Sequence, residues 1–115
     1  MESKISGLVG LALRQGTVSL GLSKAVELIR SNKASIAFID SSASKNAEKR
    51  MINSCNYYNV PLYIVSENLL GRATGKADLK VLALPKGSLT DEIKKHTGGL
   101  KTFSPVTNTG VRNDG

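Results

Sequence analysis

The chain has few of the residues from which enzymes most often build reactive centres. Its 115 residues include one cysteine, Cys55, one histidine, His96, and no tryptophan. A single thiol excludes an internal disulfide and fits a reducing compartment, so we expect a cytoplasmic protein. One histidine and one cysteine also supply too few soft ligands for a zinc site. We therefore expect neither a metal nor a cofactor.

Aromatic side chains and long apolar runs are scarce too. Aromatic residues make up 4% of the chain, which leaves little ring surface for stacking on bases. Of Tyr57 and Tyr58, which precede a turn, we expect one to pack in the core, while the other is free to be exposed. Residues 5–13 form an apolar run that is too short and too interrupted by glycine to span a membrane. We interpret this run as a core helix and expect no membrane partner.

A search for catalytic groups finds no convincing set. His96 lies beside lysines near the end of the last helix, which indicates a solvated helix end rather than part of a Ser-His-Asp arrangement. Cys55 falls on an apolar helical stripe and is expected to be a buried structural thiol. The segment 71–76 has glycines and a lysine, yet it lacks the Walker pattern and the strand that precedes it. The sequence therefore predicts a protein that is not an enzyme.

Positive charge is the strongest compositional signal. The formal net charge is +7 and the sequence pI is about 9.8. Such an excess favours anionic partners, and nucleic acid is the first of them. The alternative is a protein-interaction module whose basic charge is incidental. A chain of this length, 40% hydrophobic and 22% charged, fits one globular domain.

The hydrophobic pattern alternates between helical and strand periods. Five helices and four strands follow one another up to residue 97, which predicts an α/β fold. We expect a three-layer α/β/α sandwich around a small mixed sheet of about four strands.

Two serines are placed to cap helices. Residues 40–44 form a loop rich in capping residues, and Ser44 in this loop is expected to cap the third helix. Ser66 is expected to cap the fourth.

From residue 98 the chain is rich in Gly, Thr, Asn and Ser, with few apolar residues to offset chain entropy. We therefore assign residues 1–97 to the domain and 98–115 to a flexible tail.

Two glycine-containing segments are candidates for a binding site. Residues 20–24 lie where a strand gives way to a helix, and residues 70–76 lead from a short helix into a loop. A helix start offers free N–H groups to phosphate, and glycine lets backbone approach a ligand. Lys24, Arg72 and Lys76 add positive charge to these segments. If the fold brings them together, they form one basic edge suited to RNA.

A family resemblance rests on these same segments. Gly21 at the second helix start, the run 56–61 (Asn-Tyr-Tyr-Asn-Val-Pro) and the run 70–76 (Leu-Gly-Arg-Ala-Thr-Gly-Lys) occur in a characteristic order. Together they resemble the ribosomal protein family that binds kink-turn RNA, and most of all its bacterial YlxQ-type branch, over roughly residues 3–97. The resemblance implies an α/β/α sandwich and a non-catalytic, ribosome-associated protein that holds a structured RNA. We expect it to act as a monomer.

The resemblance also implies which residues contact RNA. In the family, RNA is held by the start of the second helix, typically Gly-Xaa-Asn-Glu-Xaa-Xaa-Lys, and by the loop after a Leu-Gly-Xaa-Ala-Xaa-Gly segment. Here the matching positions are Gly21, Leu22, Ser23, Lys24 and Glu27 in the helix, and Arg72, Gly75, Lys76 and Ala77 around the loop. Serine, lysine and glutamate replace the family's asparagine, glutamate and lysine. Serine makes fewer directed bonds than asparagine, and lysine is a point charge suited to phosphate or a guanine edge. These departures leave open whether kink-turn specificity is kept.

Overall fold

A computed structural model describes residues 2–103, in which five helices alternate with five strands. The helices are α1 (Glu2–Arg14), α2 (Leu22–Arg30), α3 (Lys45–Tyr58), α4 (Leu69–Thr74) and α5 (Ser88–Lys94). The strands are β1 (Ser19–Leu20), β2 (Ala34–Asp40), β3 (Leu62–Val65), β4 (Val81–Pro85) and β5 (Lys101–Thr102). The predicted alternation of helix and strand is therefore confirmed.

The strands form one mixed sheet in the order β1-β4-β2-β3-β5. β2 and β3 are parallel, and the other three neighbouring pairs are antiparallel. Every residue of β2 is buried, as the continuous apolar run 36–39 predicts for a strand covered on both faces.

Helices cover both faces of the sheet. Because side chains alternate along a strand, Ala37 and Ile39 pack with α2 and α3, whereas Ile36 and Phe38 pack with α1, α4 and α5. The result is the predicted three-layer α/β/α sandwich, with one apolar core on each face of the sheet.

The sheet has one strand more than the sequence predicts. β5 lies within the segment assigned to the tail, and it pairs with β3 through the Tyr63–Thr102 register. The N–H of Phe103 donates to the carbonyl of Leu62 at 3.0 Å, and the Phe103 side chain packs against the α2/α3 core. The sheet thus continues past the expected boundary at residue 97. The rest of the expected tail, residues 104–115, lies outside the described residues.

Helix starts depart from prediction at one position. Ser44 caps α3 as predicted, because its Oγ accepts a hydrogen bond from the N–H of Ala47 at 3.1 Å. Ser66 does not cap α4. Its N–H and Oγ both donate to Glu2 Oε2 at 2.9 Å, and Asn68 takes the capping position with a φ of 69°. The serine that the local sequence assigned to the start of α4 is therefore hydrogen-bonded to a carboxylate of the distant α1.

The single cysteine and the single histidine both lie in surroundings typical of structural rather than reactive residues. Cys55 is fully buried, and burial raises the pKa of its thiol to about 12, so it stays protonated and unreactive. His96 is half-buried, with Nε2 3.5 Å from Glu92 Oε2. Within residues 2–103, no cluster of three or more His, Cys, Asp or Glu side chains could hold a metal ion. None of the helices in this range is long and apolar enough to cross a membrane.

Candidate nucleic-acid interface

The two segments singled out in the sequence meet at one end of the sheet. β4 runs antiparallel to both β1 and β2, so its first residue lies beside their last residues. The N–H of Gly21 donates to the carbonyl of Val81 at 3.0 Å, and the N–H of Asp40 donates to the carbonyl of Lys80 at 2.7 Å. The start of α2 and the loop of residues 75–80 are therefore neighbours. We call this end of the sheet, with Gly21, Asp40 and residues 75–80, the loop end.

The start of α2 leaves backbone donors open. Gly21 is the cap residue, with a φ of 89° that favours glycine and no side chain to cap the helix. Its carbonyl accepts from the N–H of Ala25 at 2.9 Å. The N–H groups of Leu22, Ser23 and Lys24 precede that of Ala25, the first with an acceptor in the helix, and so have no partner within the helix. Three donors and the positive end of the helix dipole thus point out at the loop end.

The side chains on α2 divide between the core and the solvent. Leu22 is half-buried and packs against the α2/α3 core. Ser23, Lys24 and Glu27 are exposed. They are therefore available to a partner, whereas Leu22 contributes its backbone N–H and anchors the helix start.

Close packing of α4 shapes the loop. A Cβ on Gly71 would lie 3.0 Å from the carbonyl oxygen of Ala77 and 3.1 Å from that of Lys76, so only glycine lets the helix contact the loop here. Gly75 ends α4 in the left-handed conformation, with its N–H donating to the Gly71 carbonyl at 2.8 Å. A turn follows in which Leu79 N–H donates to the Lys76 carbonyl at 2.9 Å. The loop is held from within, while residues 75–78 stay exposed.

A buried carboxylate joins three loops at this end. Asp40 has no exposed side-chain surface, and its Oδ1 accepts from the N–H and the Oγ of Ser42, each at 2.7 Å. Its Oδ2 accepts from the N–H of Asn68 at 2.7 Å and lies 3.9 Å from Lys80 Nζ. Lys80 Nζ also donates to Ser42 Oγ at 2.9 Å. Asp40 therefore connects the loops after β2, after β3 and before β4.

Electrostatics keep Asp40 ionised. Burial by itself raises the pKa of this carboxyl, but hydrogen bonds from Ser42 and Asn68, helped by the charge of Lys80, outweigh burial. The net result is a pKa below the ordinary value of a carboxyl. A buried carboxylate that accepts three hydrogen bonds is a stable brace for the loops.

The predicted cations do not share one pocket. Arg72 lines a shallow pocket of about 470 Å³ between α4 and the loop; its lining residues are Asn68, Gly71, Arg72, Gly75 and Ala77. Lys24 and Glu27 line another, of about 410 Å³, with Ser19, Leu28, Ser31 and Lys33. α2 and α4 cover opposite faces of the sheet. The structure thus brings the two segments to the same end of the sheet, but Lys24 and Arg72 lie on opposite faces of that sheet.

The sequence did not identify two residues that are important at the loop end. Asp40 was assigned only to a loop of capping residues, and Asn68 was not assigned any role. An acid at the end of a fully buried strand, followed by Ser-Ser, is the local signal for Asp40, because Asp readily bonds backbone two residues on. The contact with Asn68 spans 28 residues of sequence and leaves no local signal.

Sequence comparison finds a family whose pattern the chain matches and two named relatives. The sequence pattern of the family described as Ribosomal protein L7Ae/L30e/S12e/Gadd45 matches residues 3–91. A protein of Enterococcus faecium named RNA-binding protein YlxQ is 35% identical over 76 residues, which are 65% of this chain and 74% of that protein. Its namesake in Bacillus subtilis (strain 168) is 37% identical over 78 residues, 67% of this chain and 78% of that protein.

Solved structures share the fold. A protein of unknown function from Bacillus halodurans superposes with a TM-score of 0.73 at 24% identity, covering 80% of this chain and 94% of that one. The Giardia lamblia 15.5kD RNA binding protein superposes with a TM-score of 0.69 at 21% identity, covering 84% and 85%. At such identities the similarity concerns the fold, and both superpositions agree with the α/β/α sandwich described above.

Proposed function

Since its residues 3–91 match the family's pattern, the chain belongs to the ribosomal protein L7Ae/L30e/S12e/Gadd45 family, and we propose that it is a non-catalytic protein that binds a structured RNA at the loop end. Two relatives above 30% identity carry the name RNA-binding protein. The observation that carries the proposal is the hydrogen bond from Gly21 to Val81, which sets the open donors of α2 beside the loop of residues 75–80.

Phosphate groups are held by the backbone and by three cations. The N–H groups of Leu22, Ser23 and Lys24 donate to a backbone phosphate at the positive end of α2. The exposed ammonium of Lys24 neutralises phosphates on one side of the sheet, and Arg72 and Lys76 do so on the other. An RNA lying across the loop end contacts both sides at once. In this arrangement the cations serve one ligand without sharing a pocket.

Base contacts come from the groups between the cations. Ser23 and the exposed backbone of residues 75–77 offer donors and acceptors, and Glu27 accepts from a base amino group. RNA presents accessible base edges in bulges and internal loops. Ser23 makes fewer directed bonds than an asparagine would, and Lys24 is a point charge. We therefore propose recognition that depends more on RNA shape and charge, and less on base identity, than asparagine and glutamate would give.

The cellular setting follows from the same features. The family description names ribosomal proteins, so we propose a ribosomal or similarly structured RNA as partner, with a ribosome-associated role. A lone buried thiol suits the reducing cytoplasm. We propose that the protein binds as a monomer, because the loop end contains every proposed contact within one chain.

Salt dependence tests the proposal directly. Contacts of Lys24, Arg72 and Lys76 with phosphate should give a log–log slope of affinity against salt of roughly −2.1 to −2.7. A tenfold rise in salt should then weaken binding of a hairpin RNA with an internal loop by about 100- to 500-fold. Filter-binding titrations with the full chain measure this. A flat response would contradict the proposal and favour a protein-interaction module whose charge is incidental.

A further inference from the structure

The outer face of the α2/α3 layer carries one strongly exposed aromatic ring. Tyr57 is 79% exposed, whereas Leu11, the other large exposed apolar residue within 2–103, is 37% exposed. The ring is also held in place. Its centroid lies 4.9 Å from that of Tyr58, with an angle of 68° between the planes, and Tyr58 packs against the α2/α3 core. An exposed ring that contacts a partly buried neighbour can stack on a base at little cost in entropy.

Polar groups surround this ring. A pocket of about 320 Å³ is lined by Arg30, Asn53, Ser54, Tyr57 and Tyr58. None of these residues is acidic. Arg30 is exposed and forms no ion pair with another residue of the described range 2–103. Arg30 also lies in the last turn of α2, where its charge offsets the negative end of that helix. The pocket therefore combines a ring, a free guanidinium, an amide and a hydroxyl.

The pocket lies away from the loop end, and the exposed face of α3 leads from one to the other. α2 and α3 each follow a strand that ends there, so both helices begin at the loop end and run away from it. The 14 residues of α3 span about 21 Å. Arg50, Asn53 and Tyr57 recur at i, i+3 and i+7, so they form one line along the exposed face of α3.

Charge along this face has one dominant sign. Its exposed cations include Lys24 and Arg30 on α2 and Lys49 and Arg50 on α3. The acids on the same two helices are Glu27 and Glu48, and Glu48 is paired with Lys45 at 3.9 Å. A basic surface with amides and an aromatic ring suits a nucleic-acid strand, because phosphates follow the cations and any base can stack on the ring.

We infer that the outer face of α2 and α3 is a second RNA contact, which holds a single-stranded segment next to the structured RNA and stacks one base on Tyr57 beside Arg30. This inference rests on the proposed function and extends its footprint. Charge complementarity along α2 and α3, with no acidic residue lining the pocket, favours RNA over a protein as the occupant. Arg30 contacts the phosphate or base edge at the ring, and Arg50 contacts the strand between the ring and the loop end.

The test compares two RNAs with the full chain. One is a blunt hairpin with an internal loop, and the other carries in addition a single-stranded extension of about eight nucleotides, placed at the 5′ end in one RNA and at the 3′ end in another. Wild type is expected to bind one extended form about 5- to 150-fold more tightly than the blunt form, which is the usual gain from one stacked base. Tyr57→Ala and Arg30→Gln should lose most of that gain and leave the blunt affinity unchanged. Tyr57→Phe keeps the ring and should keep the gain.

Controls separate this inference from the proposed function. Arg72→Gln should weaken both RNAs equally and leave the gain intact, since Arg72 lies on the other side of the sheet. If wild type binds the blunt hairpin but gains nothing from any extension, the second contact is wrong while the proposed function stands. If neither RNA binds, both are wrong. If Tyr57→Ala still binds the extended RNA more tightly than the blunt one to the same degree, the stacking site is wrong. It is also wrong if the protein self-associates and Tyr57→Ala abolishes this while both RNA affinities stay unchanged.

Discussion

Reversing the charge at Lys24 and Arg72 together is expected to weaken binding of a structured RNA by about 100-fold, with each single reversal contributing about tenfold. Each glutamate removes a phosphate contact and places a like charge against the RNA backbone. Both side chains are exposed, and neither forms an ion pair with a residue of the described range. The free energy of unfolding should therefore change by less than about 0.5 kcal/mol per substitution. Lys24→Glu even places an acid in the first turn of α2, which the helix dipole favours.

Lys86→Glu is the matched control for either single reversal. Lys86 is exposed and directly follows β4, at the end of the sheet opposite the loop end. Lys86→Glu changes the net charge of the protein by the same amount as Lys24→Glu or Arg72→Glu. Its affinity therefore measures how much binding is lost through the lower overall positive charge alone. We expect less than about a twofold change in the affinity of this variant for the blunt hairpin RNA. If Lys86→Glu weakens binding as much as Lys24→Glu or Arg72→Glu, attraction is diffuse and the loop end is not the site.

Removing the Asp40 carboxylate is expected to destabilise the fold and disorganise the RNA-facing loops. Asp40→Ala leaves the N–H groups of Ser42 and Asn68 without their acceptor, which should cost about 3 kcal/mol of unfolding free energy. Asp40→Asn keeps one acceptor but turns an amide donor toward other donors, for an expected loss of about 1.5 kcal/mol. Urea unfolding measures both. Glu67→Gln, an acid-to-amide change at an exposed turn residue, should stay within about 0.5 kcal/mol.

Acid unfolding gives Asp40 a second signature. Its folded-state pKa is lowered, so its contribution to stability is fully present above the pKa of an unfolded carboxyl, near pH 4. The contribution is lost as the pH falls below that value through the folded-state pKa. Wild type should therefore lose stability more steeply than Asp40→Asn from about pH 4 downward. Equal slopes for the two proteins would show that Asp40 is not the ionised brace described here.

The sequence predicts the architecture well because the architecture depends on local periodicity. Apolar residues recur at helical spacing in α1, α2 and α3, and the run 36–39 is continuous where β2 is covered on both faces. β5 was missed because a strand of two exposed residues has no period to detect. Its place depends on a free edge of β3 and on Phe103, which only the folded sheet brings together.

The site was less accessible to sequence reasoning because it depends on pairing across the chain. That Gly21 neighbours the loop of residues 75–80 follows from the antiparallel pairing of β1 with β4, which no local pattern specifies. Lys24 and Arg72 occupy separate pockets because α2 and α4 cover opposite faces of the sheet. The resemblance to the family identified the segments, and the sheet topology determined how they are arranged.

Amide chemical-shift mapping with the blunt hairpin RNA tests the central claim most directly. In one titration, the amides of residues 22–24 and those of residues 75–80 should shift together, with the same apparent affinity, because one ligand covers both segments. Amides next to Lys86 at the opposite end should stay unchanged. Shifts confined to one of the two segments, or concentrated at the Lys86 end, would contradict RNA binding at the loop end.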